Sequence, residues 1–348
     1  MRAVAVLEPG KVGVVDVPMP IYGDYECLVQ VKASGVCSST DLMIIQNTHP
    51  ESPEHPFRYP TILGHEAAGE IVKVGSKVRN LKVGDRVVSP MAGRYIPECG
   101  YTMSYGGMSE FAVAPDLRAM YEDKVDSPLT SRVVEEQDFL CKVFPHDISF
   151  PEATLILSFK ENYSALRNFG VQEGMNILIY GDGAIGMGLS MFARKFHPGS
   201  VVVVGHHDDR LERIRKTSKP DQLINSKKED PMEILKDKKF DIAIDAAGNL
   251  DIARQAAKML KPGGKVCVLG VLKKGKSMLD LYDIPNYTAV QILSFPYREH
   301  RTHDDIIRFM KTDFHANDFI SHVVPVEEVA DAVRLLEKRE AFKVVLTF

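Results

Sequence analysis

The segment TILGHEAAGEIV, residues 61–72, is almost wholly apolar and small, yet it carries a histidine and a glutamate side by side, His65 and Glu66. A buried imidazole or carboxylate is costly unless it is paired, hydrogen-bonded or bound to a metal. Upstream, ASGVCSSTDLM supplies a thiol at Cys37 and hydroxyls at Ser39 and Thr40. Zinc takes thiolate, imidazole and carboxylate ligands, and a catalytic zinc keeps one position open. Alone, Cys37 reads as a small buried hydrophobe and His65 as a satisfied core residue. The pair, with Glu66 adjacent, turns the balance towards a metal site.

A second constellation lies in the middle of the chain. The apolar run NILIYG leads into Gly181-Asp182-Gly183-Ala184-Ile185-Gly186 and then into AIGMGLSMFARKF. This is G-x-G-x-x-G between a strand and a helix, followed by a second strand. The glycines allow a tight turn, close approach of a pyrophosphate and close helix–strand packing, and the helix N-terminus offers free N–H groups to the phosphates. Dinucleotide binding is the expectation; a glycine-rich structural turn is the plain alternative. The second strand ends VVVVGHHDDRLERI. An acidic residue at that strand end would grip the ribose 2′-hydroxyl of NAD, but the position holds Gly205, with His206, His207 and Arg210 after it. A missing carboxylate beside cations favours NADP; Asp208 and Asp209 argue for NAD, which stays open.

The elements that must position these residues fall into two styles. Residues 1–152 alternate short β-branched runs with Gly, Pro and Asp turns, as in RAVAVLEPGKVGVVDVPMP and GEIVKVGSKV, which predicts a β-rich domain, a compact barrel or irregular sheet. Residues 153–293 alternate strands with helices, which predicts an α/β domain with a doubly wound parallel sheet. Residues 294–348 carry an amphipathic helix and a closing strand and are expected to return to the first domain. The stretch 95–137 reads as loop-rich.

The totals are compatible with this. The 348 residues exceed one ordinary core. A net charge of −4 gives no reason to expect nucleic acid or an anionic membrane. No apolar run approaches the roughly 18 residues of a membrane span, and MRAVAVLEPG lacks the pattern of a signal peptide, so a cytoplasmic protein is expected. The five cysteines are scattered without a C-x-x-C pair, so reduced thiols are the default.

On GVCSSTD, YPTILGHEAAGEIVKVGSKVRNLKVGDRVV, YGGMSEFAVAP, VQEGMNILIYGDGAIG and KVVLTF, the whole chain resembles the zinc-dependent medium-chain dehydrogenase/reductase superfamily. The resemblance implies a GroES-like catalytic domain, a Rossmann domain and an active site in the cleft between them. It implies one catalytic zinc on Cys37 and His65, with Glu66 either a ligand or a group that exchanges with substrate or water. It places Lys343 near the cofactor phosphates and Val271 by the nicotinamide. It implies hydride exchange between a small alcohol or carbonyl substrate and the nicotinamide, with zinc acidifying the alcohol and Ser39 passing the proton. A polyol, cyclitol, sugar or amino sugar is favoured over a simple alcohol. A homodimer or homotetramer is expected through the sheet edge near 270–295.

The chain departs from the family in three places. The segment that elsewhere holds four structural-zinc cysteines has only Cys99, so no structural zinc is expected. The position of a fourth catalytic ligand falls at about Leu157, Ile156 or Ser158, none of them good ligands, with Glu161 close by. The relay histidine is missing around Leu42 and Met43. These departures keep two rivals in view: a zinc-independent NADPH reductase of the same fold, and a non-catalytic NADP-binding protein.

Overall fold

The computed structural model describes residues 1–48, 58–91, 99–103, 105–132, 142–272, 280–293 and 296–348. Parts of the 95–137 segment and of the 270–295 edge, and Cys141, lie outside them. The chain divides into two compact units, Met1–Leu157 with His300–Phe348, and Ser158–Glu299.

The first unit opens with strands β1 (Arg2–Glu8), β2 (Lys11–Asp16), β3 (Glu26–Val36), β4 (Thr61–Ile62), β5 (Glu66–Val74), β6 (Arg86–Val88), β7 (Thr102–Met103) and β8 (Phe111–Pro115). The second holds β9 (Asn176–Tyr180), β10 (Ser200–Gly205), β11 (Gln222–Asn225), β12 (Phe240–Asp245), β13 (Leu260–Val268) and β14 (Ala289–Ile292). The chain then returns to the first unit with β15 (His322–Pro325) and β16 (Val344–Thr347).

Two sheets build the first unit, one in the order β2-β1-β4-β7 and one in the order β15-β16-β3-β5-β6, with β8 also paired to β3. β1 shows why a fully apolar strand is wanted here. Its side chains alternate in direction: Val4 and Val6 enter a core with Ile44, Leu63, Val333 and Leu346, while Ala3 and Ala5 enter another with Val31, Ile62 and Ala112. A strand between two cores has no solvent face, and all four residues are buried.

Within the stretch read as loop-rich, the helix Leu117–Glu122 forms. Asp116 caps it, accepting from Ala119 N at 3.0 Å, and the same carboxylate accepts from the amides of Arg79 and Asn80 at 2.7 and 2.8 Å. The helix start and a distant loop are thus tied to one buried group.

The second unit is a six-stranded sheet in the order β11-β10-β9-β12-β13-β14. Every pairing in it is parallel. NILIY in β9 and VVVVG in β10 are almost continuously buried, as strands covered on both faces must be. The helix Ala184–Ala193 buries eight of its ten residues. Its small side chains allow close approach: a Cβ on Gly188 would meet the Asn162 side chain at 2.5 Å. Among the described residues no helix is long and apolar enough to cross a membrane.

Candidate metal centre and nucleotide site

Backbone register brings the first constellation together. β3 and β5 pair antiparallel with Gly35 opposite Glu66, and β16 lays Val345 against Gly35 from the other side. Cys37 follows the end of β3 and His65 precedes the start of β5, so both emerge at the same end of the sheet. The turn before His65 depends on Gly64. Its φ is +106°, and any side chain there would collide with the Met108 backbone.

Cys37, His65 and Glu66 each offer one ligand atom, and these atoms all lie within 4.8 Å of one another. No fourth thiol, imidazole or carboxylate atom among the described residues joins them. Cys37 Sγ lies 3.2 Å from Ser39 Oγ. His65 is stacked obliquely against Tyr105, ring centroids 5.2 Å apart.

Two charged side chains support the cluster. Asp41, fully buried, accepts from the Cys37 amide at 2.8 Å through Oδ2, and its Oδ1 stands 3.5 Å from His65 Nδ1. Lys343 is 4% exposed, and its ammonium is ion-paired with Oε2 of Glu66, itself 3% exposed. Gly35 makes room for this pair: a Cβ there would lie 2.6 Å from Glu66 Oε2 and 3.1 Å from Lys343 Cε. Gly35 and the Lys343–Glu66 contact were not foreseen from the sequence. The expectation for Lys343 was the cofactor phosphates; its immediate partner is Glu66.

Proton affinities follow from this crowding. Burial alone would lower the His65 pKa, but Asp41 and Cys37 outweigh it and hold the imidazole well above its usual value. Burial would raise the Cys37 thiol, and the hydrogen bond with His65 brings it down instead. Burial would strip the proton from Lys343, and Glu66 keeps it on. With Cys37 as thiolate, Cys37, Glu66 and Asp41 face the Lys343 ammonium and a protonated His65, leaving one negative charge in excess, and two once His65 is neutral. A divalent cation matches that excess and lets His65 return to its neutral, metal-binding form. Sulfur, nitrogen and oxygen donors at this spacing fit zinc.

The second constellation lies at the carboxyl ends of the parallel strands of the other unit. Gly181 has φ +133°, a conformation that favours glycine. A Cβ on Gly186 would collide with the Gly181 carbonyl, whereas one on Gly183 would meet nothing within 4 Å. The first and third glycines therefore close the turn, and the second leaves open space over the loop. Ala184, Ile185 and Gly186 form the first turn of the helix Ala184–Ala193, and no side chain caps that N-terminus. Its amides are free for a pyrophosphate. His206 and Arg210 follow β10, with His206 Nδ1 2.8 Å from Ser226 Oγ. Val271 follows β13, where its backbone packs on Gly248.

Of the remaining positions, Ile156 is fully buried and Ser158 nearly so. His303 is buried with Nε2 3.0 Å from the Val143 carbonyl, a structural contact.

A Cys-His-Glu cluster in a β-rich unit, with a glycine phosphate loop on a parallel sheet, defines a metal- and dinucleotide-dependent dehydrogenase. Comparison with known proteins agrees. Residues 23–122 match the alcohol dehydrogenase GroES-like domain, and residues 184–312 match the zinc-binding dehydrogenase domain. The NADP-dependent isopropanol dehydrogenase of Entamoeba histolytica is 30% identical over 82% of this chain and 76% of its own. The sorbitol dehydrogenase of Bacillus subtilis is 28% identical over 99% of this chain and 97% of its own. Among solved structures, an alcohol dehydrogenase from Thermus sp. ATN1 superposes with a TM-score of 0.77 at 22% identity, covering 100% of this chain and 99% of that one. The chain belongs to the zinc-dependent medium-chain dehydrogenase/reductase superfamily, with its GroES-like and Rossmann-type domains, and is an NAD(P)-dependent oxidoreductase of the alcohol and polyol dehydrogenase type.

Proposed function

We propose that this enzyme exchanges hydride between the secondary carbinol of a polyol or sugar-like substrate and a nicotinamide, with one catalytic zinc held by Cys37, His65 and Glu66. The observation that carries the reading is the convergence of those three donor atoms within 4.8 Å in a buried place short of positive charge. The polyol class draws support from the relatives: sorbitol dehydrogenases recur among them, with a yeast D-xylulose reductase.

Zinc supplies Lewis acidity to the substrate oxygen, and the dinucleotide supplies the hydride acceptor. The rest of the task belongs to the chain. Asp41 orients the His65 ring and fixes the Cys37 backbone. Ser39, beside Cys37 Sγ, takes the hydroxyl proton as it gives its own to water. Lys343 holds the Glu66 carboxylate as its counter-charge. Gly181, Gly183 and Gly186 with the amides of Ala184 and Ile185 seat the pyrophosphate.

Elemental mass spectrometry of the purified protein beside a Cys37→Ser variant tests the centre. About one zinc per chain, lost in the variant together with turnover on a panel of polyols, is expected. A zinc-free wild type that still turns over would sink the reading. Ser39→Ala should lower kcat by about a hundredfold with nucleotide affinity unchanged.

A further inference from the structure

In a dinucleotide-binding βαβ unit, the residue that ends the second strand is where a carboxylate accepts the ribose 2′-hydroxyl. Here that residue is Gly205, the last of β10. The space beside it is filled. A Cβ on Gly205 would lie 2.7 Å from the Asp182 Cβ and 2.8 Å from Asp182 Oδ2. Asp182 is the variable residue between the first two glycines of the phosphate loop. Its carboxylate stands where a strand-end side chain would begin, so an aspartate at 182 and any side chain at 205 exclude each other.

The carboxylate is held firmly. Oδ2 accepts from the backbone N–H of His206 at 2.6 Å and of His207 at 2.8 Å, and lies 3.0 Å from His207 Nδ1. All three contacts fall on Oδ2, and no described residue donates to Oδ1. The amides after β10, which could bind a 2′-phosphate, are therefore already committed to an anion. Two nearby basic side chains have other partners: Lys228 Nζ lies 2.6 Å from Asp208, and His206 Nδ1 lies 2.8 Å from Ser226 Oγ.

We propose that Asp182 is the residue that selects the nucleotide. Its carboxylate reaches the strand end from the phosphate loop, accepts the adenosine ribose 2′-hydroxyl through Oδ1, and repels a 2′-phosphate, so the enzyme prefers NAD(H). This rests on the dinucleotide reading of the glycine loop. It reverses the preference for NADP drawn from Gly205 and the basic residues after it, because the missing acid is replaced through space from another position.

The test is direct binding of NADH and NADPH, followed by nucleotide fluorescence and calorimetry, to wild type, Asp182→Asn and Asp182→Ala. The asparagine keeps the size and an acceptor for the two amides and removes the charge. Wild type should bind NADH about tenfold or more tightly than NADPH, the scale of a hydrogen bond to a charged group. In Asp182→Asn that ratio should fall about tenfold, with the thermal midpoint little changed, a readout that a merely structural role would not move. Equal or tighter binding of NADPH by wild type, or an unchanged ratio in a folded variant, overturns the proposal while leaving the dinucleotide reading intact. Failure of wild type to bind either nucleotide overturns both.

Discussion

At Gly35 a missing side chain admits a buried ion pair. Glu66 and Lys343 meet beside it, 277 residues apart in sequence. Removing one partner of such a pair leaves the other charged and unsolvated, which is worth about 3 kcal/mol or more. Lys343→Met should therefore lower the stability of the chelator-treated protein by about that amount, measured by denaturant titration; a change below about 1 kcal/mol would show that Glu66 finds other compensation. Asp41 touches the proposed metal ligands through the Cys37 backbone and the His65 ring. Asp41→Ala should weaken zinc about 10- to 100-fold in competition with a chromophoric chelator, and unchanged affinity would remove it from the centre. Cys37, His65 and Glu66 were legible in the sequence because titratable types stand out in apolar or small-residue runs. Gly35 and the Lys343–Glu66 contact were not, because they depend on which residue of β3 faces β5 and β16. Asp182 was hidden because it fills a motif position that the glycine pattern leaves unspecified.

Among the elements, the phosphate-loop turn and the Asp116 cap carry the clearest consequences. Gly186→Ala would push the helix Ala184–Ala193 off the Gly181 carbonyl. Loss of at least about tenfold in NADH affinity is expected, read by fluorescence titration, because the helix N-terminus would no longer face the loop. Burial alone would raise the Asp116 carboxyl, but the amides of Asn80, Ala119 and Arg79 hold it below the usual range. A depressed folded pKa contributes stability above the unfolded value of about 3.9, and that contribution is lost as pH falls through the folded value. Asp116→Asn should thus be destabilising at pH 7, with the difference from wild type shrinking as pH falls below about 3.9; a constant difference between the two proteins would contradict the assignment. The strands and helices of 153–293 were readable because buried parallel strands and amphipathic helices have distinct periods. The helix at Leu117–Glu122 was not, since its capping carboxylate works through contacts with residues 79 and 80.

Across the molecule, one unit is a continuous stretch and the other is not. Ser158–Glu299 contains all six strands of its sheet, whereas the first unit needs both ends of the chain. β16 lies between β15 and β3, and β3 leads directly to Cys37. Deleting residues 341–348 should therefore abolish zinc binding while the parallel sheet still melts cooperatively. Retention of one zinc per chain in the truncated protein would show that β3 and β5 suffice.

That strand order also sets a timetable. During synthesis β3 and β5 precede the whole of the Ser158–Glu299 unit, whereas the lysine that balances Glu66 and the strand that flanks β3 are made only after it. The nascent thiol and imidazole at Cys37 and His65 wait in an unfinished half-sheet through the making of the whole parallel-sheet unit. The proposed metal centre is consequently completed only after the parallel-sheet unit has been made.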